Sequence, residues 1–230
     1  YAALAQPTPR VVYRRERWDT PDGDFIDVDW LASAQADSNA PMVLLFHGLE
    51  GGSRSHYALS LMHALNARGW RGAVAHFRGC SGEPNRLPRA YHSGDTAEID
   101  WILQRARKLA GAAELYGVGV SLGGNALLKW AGERGTAAEK SVAALAAISV
   151  PLHLAAAGDN LARGFNRLYT HWFLRSMKPK VLSRPVEYAA VIKTGRVAQA
   201  YTMREYDDAY TAPVHGFRDV DDYWHSCSAA

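Results

Sequence analysis

Ser121 stands at the centre of Gly119-Val120-Ser121-Leu122-Gly123, inside the run LYGVGVSLGGN, where an apolar stretch stops at a serine ringed by glycines. A G-x-S-x-G pattern arises by accident in roughly one chain of this composition in ten, so its context has to carry the argument. That context is an apolar strand ending at Val120 and a helical pattern beginning at Leu122, the strand–turn–helix of a nucleophile elbow. Glycines suit such a turn because a Cβ beside the serine would collide with the strand or the helix. A serine so placed can attack an acyl carbonyl, provided that hydrogen-bond donors meet the negative charge developing on the carbonyl oxygen. The backbone N–H of Leu122, at a helix start, is one such donor. The second is expected from HGLEGGSRSH, residues 47–56, a Gly-rich loop after another apolar strand, with the Leu49 amide best placed. Gly48 in that loop and Arg78 in HFRGCSGEPNR are the candidate substrate contacts, although an arginine at a strand end more often braces its loop. Cys80 reads as a small buried residue, since nothing beside it lowers a thiol pKa.

The elements that must position these groups follow from hydrophobic periodicity. VVYRRERWDTPDGDFIDVDWL predicts two strands around a Pro21-Asp22-Gly23 turn, making an antiparallel edge. PMVLLFHG (41–48), WRGAVAHF (70–77), AELYGVGV (113–120) and VAALAAISV (142–150) predict strands of a mostly parallel sheet. Helices are expected between them. The first, 55–69, carries Ala58, Leu61, Met62 and Leu65 on one face. The second, 95–111, carries Ile99, Ile102, Ala106 and Leu109, with Asp95 and Glu98 as a capping box, and the third spans 122–135. Alternating strands and helices define an α/β fold with helices on both faces of the sheet. After Pro151 the rhythm breaks, and 160–177 and 184–210 read as helical segments of a cover. The expected division is a core over 1–150 and a helical cap or lid over 151–230.

With 230 residues, 48% of them hydrophobic, the chain can bury one large core. A net charge of +3 without a Lys/Arg block or nucleic-acid motif argues against nucleic acid as a partner. Two cysteines are too few for a disulfide framework, and residues 1–20 lack a signal-peptide core, so a cytoplasmic setting is expected. Leu161, Phe165, Leu168, Tyr169, Trp172 and Phe173, interleaved with arginines and lysines, are expected to pack down on the domain. The competing reading is a lid that lines the pocket for an acyl chain and makes peripheral contact with anionic lipid.

The segments PDGDFIDVDW, HGLEGGSRSHY, HFRGCSGEPNR, YHSGDTAEIDWIL and GVGVSLGGNALLKW together resemble the α/β-hydrolase superfamily, within it the YheT-like branch, which is similar to the animal abhydrolase-domain lipases. The resemblance is specific over residues 20–131 and looser beyond. It implies hydrolysis of carboxylic esters, lipid-like ones favoured, with Ser121 as nucleophile and no metal or organic cofactor. In that chain order the histidine follows the serine, so His47 is expected to brace its loop rather than act as base. The acid and the histidine ordinarily follow the seventh and eighth strands, whereas 142–150 is only the sixth. They are therefore expected beyond Ala230, leaving this chain inactive by itself. A triad of Ser121 and Asp159 with His215 or His225 has no strand to fix it. The alternative function is a non-catalytic hydrolase-fold module that binds an acyl ligand or a protein.

Overall fold

Met42–Phe46 is apolar and buried at every position, and becomes the interior strand that the continuous apolar run requires. The computed structural model describes residues 8–32, 37 and 39–230. Its strands are β1 (Tyr13–Asp19), β2 (Phe25–Leu31), β3 (Met42–Phe46), β4 (Arg71–Ala75), β5 (Leu115–Val120) and β6 (Ala144–Ile148). They form one sheet in the order β1-β2-β4-β3-β5-β6. β1 and β2 are antiparallel to each other, β2 is antiparallel to β4, and the remaining pairs are parallel.

Crossover helices α1 (His56–Ala67), α2 (Thr96–Ala110) and α3 (Leu122–Arg134) cover both faces. The pleat of β3 shows this directly. Val43 and Leu45 pack with Leu59, Met62 and Leu65 of α1, while Met42, Leu44 and Phe46 pack with Ile99, Ile102, Ala126 and Leu127 of α2 and α3. In α2 Ile99, Ile102 and Ala106 are buried as expected, and only the last position differs. Leu109 is 45% exposed, and Leu103 and Ala110 are buried instead. The Asp95 carboxylate does accept from the Glu98 N–H, but the return half of the box is missing because the Glu98 carboxylate is drawn to Arg78.

Asp27 and Asp29 on β2 are buried, each clamped by a bidentate arginine of β1, Arg17 and Arg15. Asp29 also accepts from Ser53 Oγ and faces His76 Nε2 at 2.9 Å, which joins the hairpin to the loop beyond β3. Such a group is tolerated inside only because its lone pairs are filled.

After β6 the described chain is helical: α4 (Leu154–Leu161), α5 (Asn166–Leu182), α6 (Pro185–Tyr188), α7 (Thr194–Gln199), α8 (Met203–Tyr206), α9 (Ala212–Val214) and α10 (Val220–Cys227), with a π-turn at Asp207–Thr211. The run 184–210 is thus broken rather than continuous. Pro185 holds Arg184 out of the helical region, and Thr202 with Glu205 forms a full capping box that starts a new helix. These helices share a second core built around Leu174, Val181, Tyr206, Tyr210 and Trp224. The expected aromatic stripe divides. Leu161 and Phe173 pack inward, while Phe165, Leu168, Tyr169 and Trp172 are 89%, 62%, 63% and 75% exposed.

Candidate active site

At the tip of β5 the chain turns through Ser121 with φ 52° and ψ −119°, a conformation that side-chain-bearing residues rarely adopt. Holding a serine there costs about 1–3 kcal/mol, which the surrounding packing has to offset. Three glycines make the turn possible. A Cβ on Gly119 would lie 2.5 Å from Gly124 Cα, and one on Gly123 would lie 2.5 Å from the carbonyl oxygens of both Phe46 and His47. A Cβ on Gly124 would meet Val150 at 2.6 Å. The elbow is therefore wedged between β3, β5 and the end of β6. The Ser121 N–H donates to the Ile148 carbonyl at 2.9 Å, which leaves that amide engaged.

The loop after β3 arrives beside the serine. The position of a Cβ on Gly48 is only 3.3 Å from Ser121 Cβ, so the backbone of 48–49 passes against the elbow. The Gly48 N–H donates to Tyr57 Oη at 2.9 Å, and Gly51 closes a tight turn onto the Gly48 carbonyl. Among the described residues no acceptor takes the Leu49 amide, and Leu122, as first residue of α3, has none within its helix. Leu49, Ser121 and Leu122 all border one cavity of about 810 Å³. Its remaining wall comes largely from the helical segment, including Leu161, Phe173, Met177, Tyr206 and Trp224.

His47 is fully buried beneath this loop. Its Nε2 accepts from the Phe77 N–H at 3.0 Å, so Nδ1 carries the proton and donates to the Gly48 carbonyl at 2.7 Å. Burial pushes its pKa down to about 3, which keeps the ring neutral and the tautomer fixed. Arg78 borders the cavity, yet its side chain is 3% exposed and its guanidinium is spent on Glu98, Asp24 and Asp22 at 2.6, 3.0 and 3.0 Å. Of the two roles expected for Arg78 the structure shows the brace, with each guanidinium nitrogen held by a carboxylate rather than presented as a substrate contact. Burial pushes the Cys80 thiol up to about 12, away from nucleophilic use.

Nine histidines are present in the sequence, and among the described residues none is hydrogen-bonded to Ser121 Oγ. His76 is paired with Asp29, and His92 packs at a tilt of 51° against His215 with ring centroids 4.3 Å apart. Burial lowers the pKa of His92 to about 4 and of His215 to about 3. Asp159, the weaker candidate acid, is taken by Arg204 rather than by a histidine.

Three residues that matter here escaped the sequence. Asn125, fully buried in the first turn of α3, donates from Nδ2 to the carbonyls of Ser93 and Cys227 at 2.9 and 2.7 Å, and its Oδ1 accepts from the Ala229 N–H. An amide directly after the Gly-Gly pair was its only signal. Glu50 sits in the Gly-rich loop at φ 55°, an unexpected place for a glutamate. Asp207 lines the cavity from the π-turn, accepting from Thr211 Oγ1 at 2.7 Å and Trp224 Nε1 at 2.9 Å. Nothing local in the sequence marks it as buried.

The strand order, the crossovers and the serine turn at the carboxyl end of β5 define an α/β-hydrolase. The chain belongs to that family, since the family model described as alpha/beta hydrolase fold matches residues 41–184. It is similar to the Escherichia coli (strain K12) protein named "Putative esterase YheT", 38% identical over 216 residues that cover 93% of this chain and 63% of that protein. It is also similar to mouse "Phospholipase ABHD3", 30% identical over 96% of this chain and 54% of that protein. The chain thus spans between about half and under two thirds of the length of these relatives. Among solved structures, Est1E from Butyrivibrio proteoclasticus with bound ferulic acid superposes with a TM-score of 0.52 at 17% identity, over 65% of this chain and 56% of that one. At that identity the likeness speaks for the fold alone. No helix among the described residues is long and apolar enough to cross a membrane.

Proposed function

We propose that the protein hydrolyses carboxylic esters, with lipid-like acyl esters as its substrates, through an acyl-enzyme on Ser121. The observation that carries this reading is the strained Ser121 backbone, φ 52° and ψ −119°, in the wall of a cavity of about 810 Å³. Strain of that kind persists where the fold holds a group for use. Ser121 Oγ would attack the carbonyl carbon, and the Leu49 and Leu122 amides would receive the oxyanion. The alkoxide then leaves with a proton, and water releases the acid. The largely apolar cavity wall from residues 151–230 suits an acyl chain and gives that segment the role of a cap over the 1–150 core. Lipid-named relatives such as the phospholipase support the same substrate class.

A histidine base and its carboxylate are still needed for turnover, and no histidine among the described residues is hydrogen-bonded to Ser121 Oγ. In this reading both come from outside residues 1–230, and without them turnover falls by a factor on the order of 10⁴–10⁶. The same missing contact favours a second reading, in which the cavity holds an acyl ligand without cleaving it.

The test is to treat the full-length protein with a fluorophosphonate, map the adduct, and assay p-nitrophenyl esters of graded chain length. Labelling confined to Ser121 and lost in Ser121→Ala, with ester cleavage, is the expected result. Labelling that survives Ser121→Ala overturns the nucleophile, and tight fatty-acid binding without labelling or cleavage selects the second reading.

A further inference from the structure

We infer that Glu50 is a positioning residue, a clasp that fastens the loop carrying the Leu49 amide to cap helix α5. The inference rests on the reading of Leu49 and Ser121 given under Proposed function. Four observations carry it.

First, Glu50 occupies a left-handed backbone position, φ 55°, where glycine or asparagine would sit at lower cost. What a glutamate adds there is its carboxylate. Second, that carboxylate is only 8% exposed, so it has to be neutralised or hydrogen-bonded. Third, its partners come from three separate places in the chain, the Cys80 thiol, 3.9 Å from Oε1, being the weakest of them. Tyr91 Oη donates at 3.0 Å, Lys180 Nζ approaches Oε1 and Oε2 at 2.8 and 2.7 Å, and Ser176 Oγ donates to Oε2. Tyr91 Oη also accepts the Glu50 N–H at 2.9 Å, so one phenol holds both the backbone and the side chain of the residue after Leu49. Fourth, Ser176 and Lys180 are four residues apart on α5, and Phe173, Met177 and Val181 of the same helix line the cavity. The carboxylate therefore ties the oxyanion loop to a helix that also lines the cavity.

An exposed lysine–carboxylate pair is ordinarily worth little. Here the carboxylate is the buried partner, and lifting Lys180 and Ser176 away would leave it short of donors beside the loop. The loop then has to move to rehydrate it, taking the Leu49 amide along. A displacement of about 1 Å at such a donor lowers turnover by up to roughly a hundredfold. α5 itself stays seated through Leu174 and Val181 in the second core, so the cavity wall and substrate affinity change far less.

The experiment uses the full-length protein with Lys180→Met, Lys180→Arg, Glu50→Gln and the Lys180→Met/Glu50→Gln double variant. Thermal midpoints are measured beside kcat and KM. The expected result is a fall in kcat of about ten- to a hundredfold for Lys180→Met and Glu50→Gln, with KM within about threefold. Lys180→Arg should restore most of kcat, and the double variant should be no worse than the weaker single. Effects that multiply, or that fall on KM alone, overturn the clasp.

Amide exchange on the same variants reads it without catalysis. Lys180→Met should speed exchange in 48–52 and in 166–182 together, and faster exchange confined to α5 overturns the inference. This arm holds whether or not the wild-type protein cleaves esters. A protein that fails to label at Ser121 but shows the coupled exchange refutes the proposed activity and leaves the clasp standing.

Discussion

Gly48 lies against Ser121 with room for no more than a methyl group between them: a Cβ on Gly48 would stand 3.3 Å from Ser121 Cβ and 3.4 Å from the Val120 carbonyl oxygen. The loop that offers the Leu49 amide and the turn that offers the hydroxyl are thus held at contact distance by the absence of one carbon. Van der Waals contact leaves neither side room to drift.

Gly48→Ala should therefore act on chemistry more than on folding. The neighbour has to give by a few tenths of an ångström, and the flexible partner is the loop rather than the wedged elbow. In the full-length protein kcat on a short-chain p-nitrophenyl ester should fall about ten- to a hundredfold, with stability lowered by less than about 2 kcal/mol. An unchanged kcat with a correctly folded variant would remove the loop from the oxyanion hole.

Gly123→Ala should instead fail at the level of the fold. Its Cβ would press on the carbonyl oxygens of Phe46 and His47 at 2.5 Å, both of them backbone atoms of the central strand and its loop. A loss of at least about 3 kcal/mol is expected, seen as a lower urea midpoint or as insoluble expression. Gly132→Ala, in the same helix with nothing within 4 Å, is the control and should gain about 0.5–1 kcal/mol.

Asp207 gives a signed pH dependence. Burial pushes its pKa from 3.8 up to about 6, against the hydrogen bonds from Thr211 and Trp224 that pull it down. Between about pH 4 and 6 the folded state keeps a proton that the unfolded state has already released, so this group's contribution to stability falls as pH rises. Relative to Asp207→Asn, the wild type should lose about 2 kcal/mol from pH 4 to pH 7, with little further change above. Urea titrations of the two proteins at pH 4, 5, 6 and 7 measure the difference. A difference that is flat with pH, or one that grows in favour of the wild type, would show that Asp207 is ionised in the fold.

What the sequence by itself determined was whatever depends on neighbours in the chain. The apolar run 42–46, the strand ending at Val120, the glycines around Ser121 and the helix that follows each satisfy a local rule, and together they make an α/β sheet with a serine at its carboxyl end. His47 as a brace was legible from the resemblance, in whose chain order the histidine follows the serine. What only the tertiary structure decided was where polar groups meet across the chain. Arg78 becomes a brace because Asp22, Asp24 and Glu98, up to 56 residues away, converge on it. Glu50 becomes a link because α5, 126–130 residues later, lays Ser176 and Lys180 over it. Leu109 is left exposed, and Phe165, Leu168, Tyr169 and Trp172 face outward, because periodicity says which residues share a helix face but not which face finds a partner. Burial of a charge is set by the sum of its partners in space, and a one-dimensional pattern does not contain that sum.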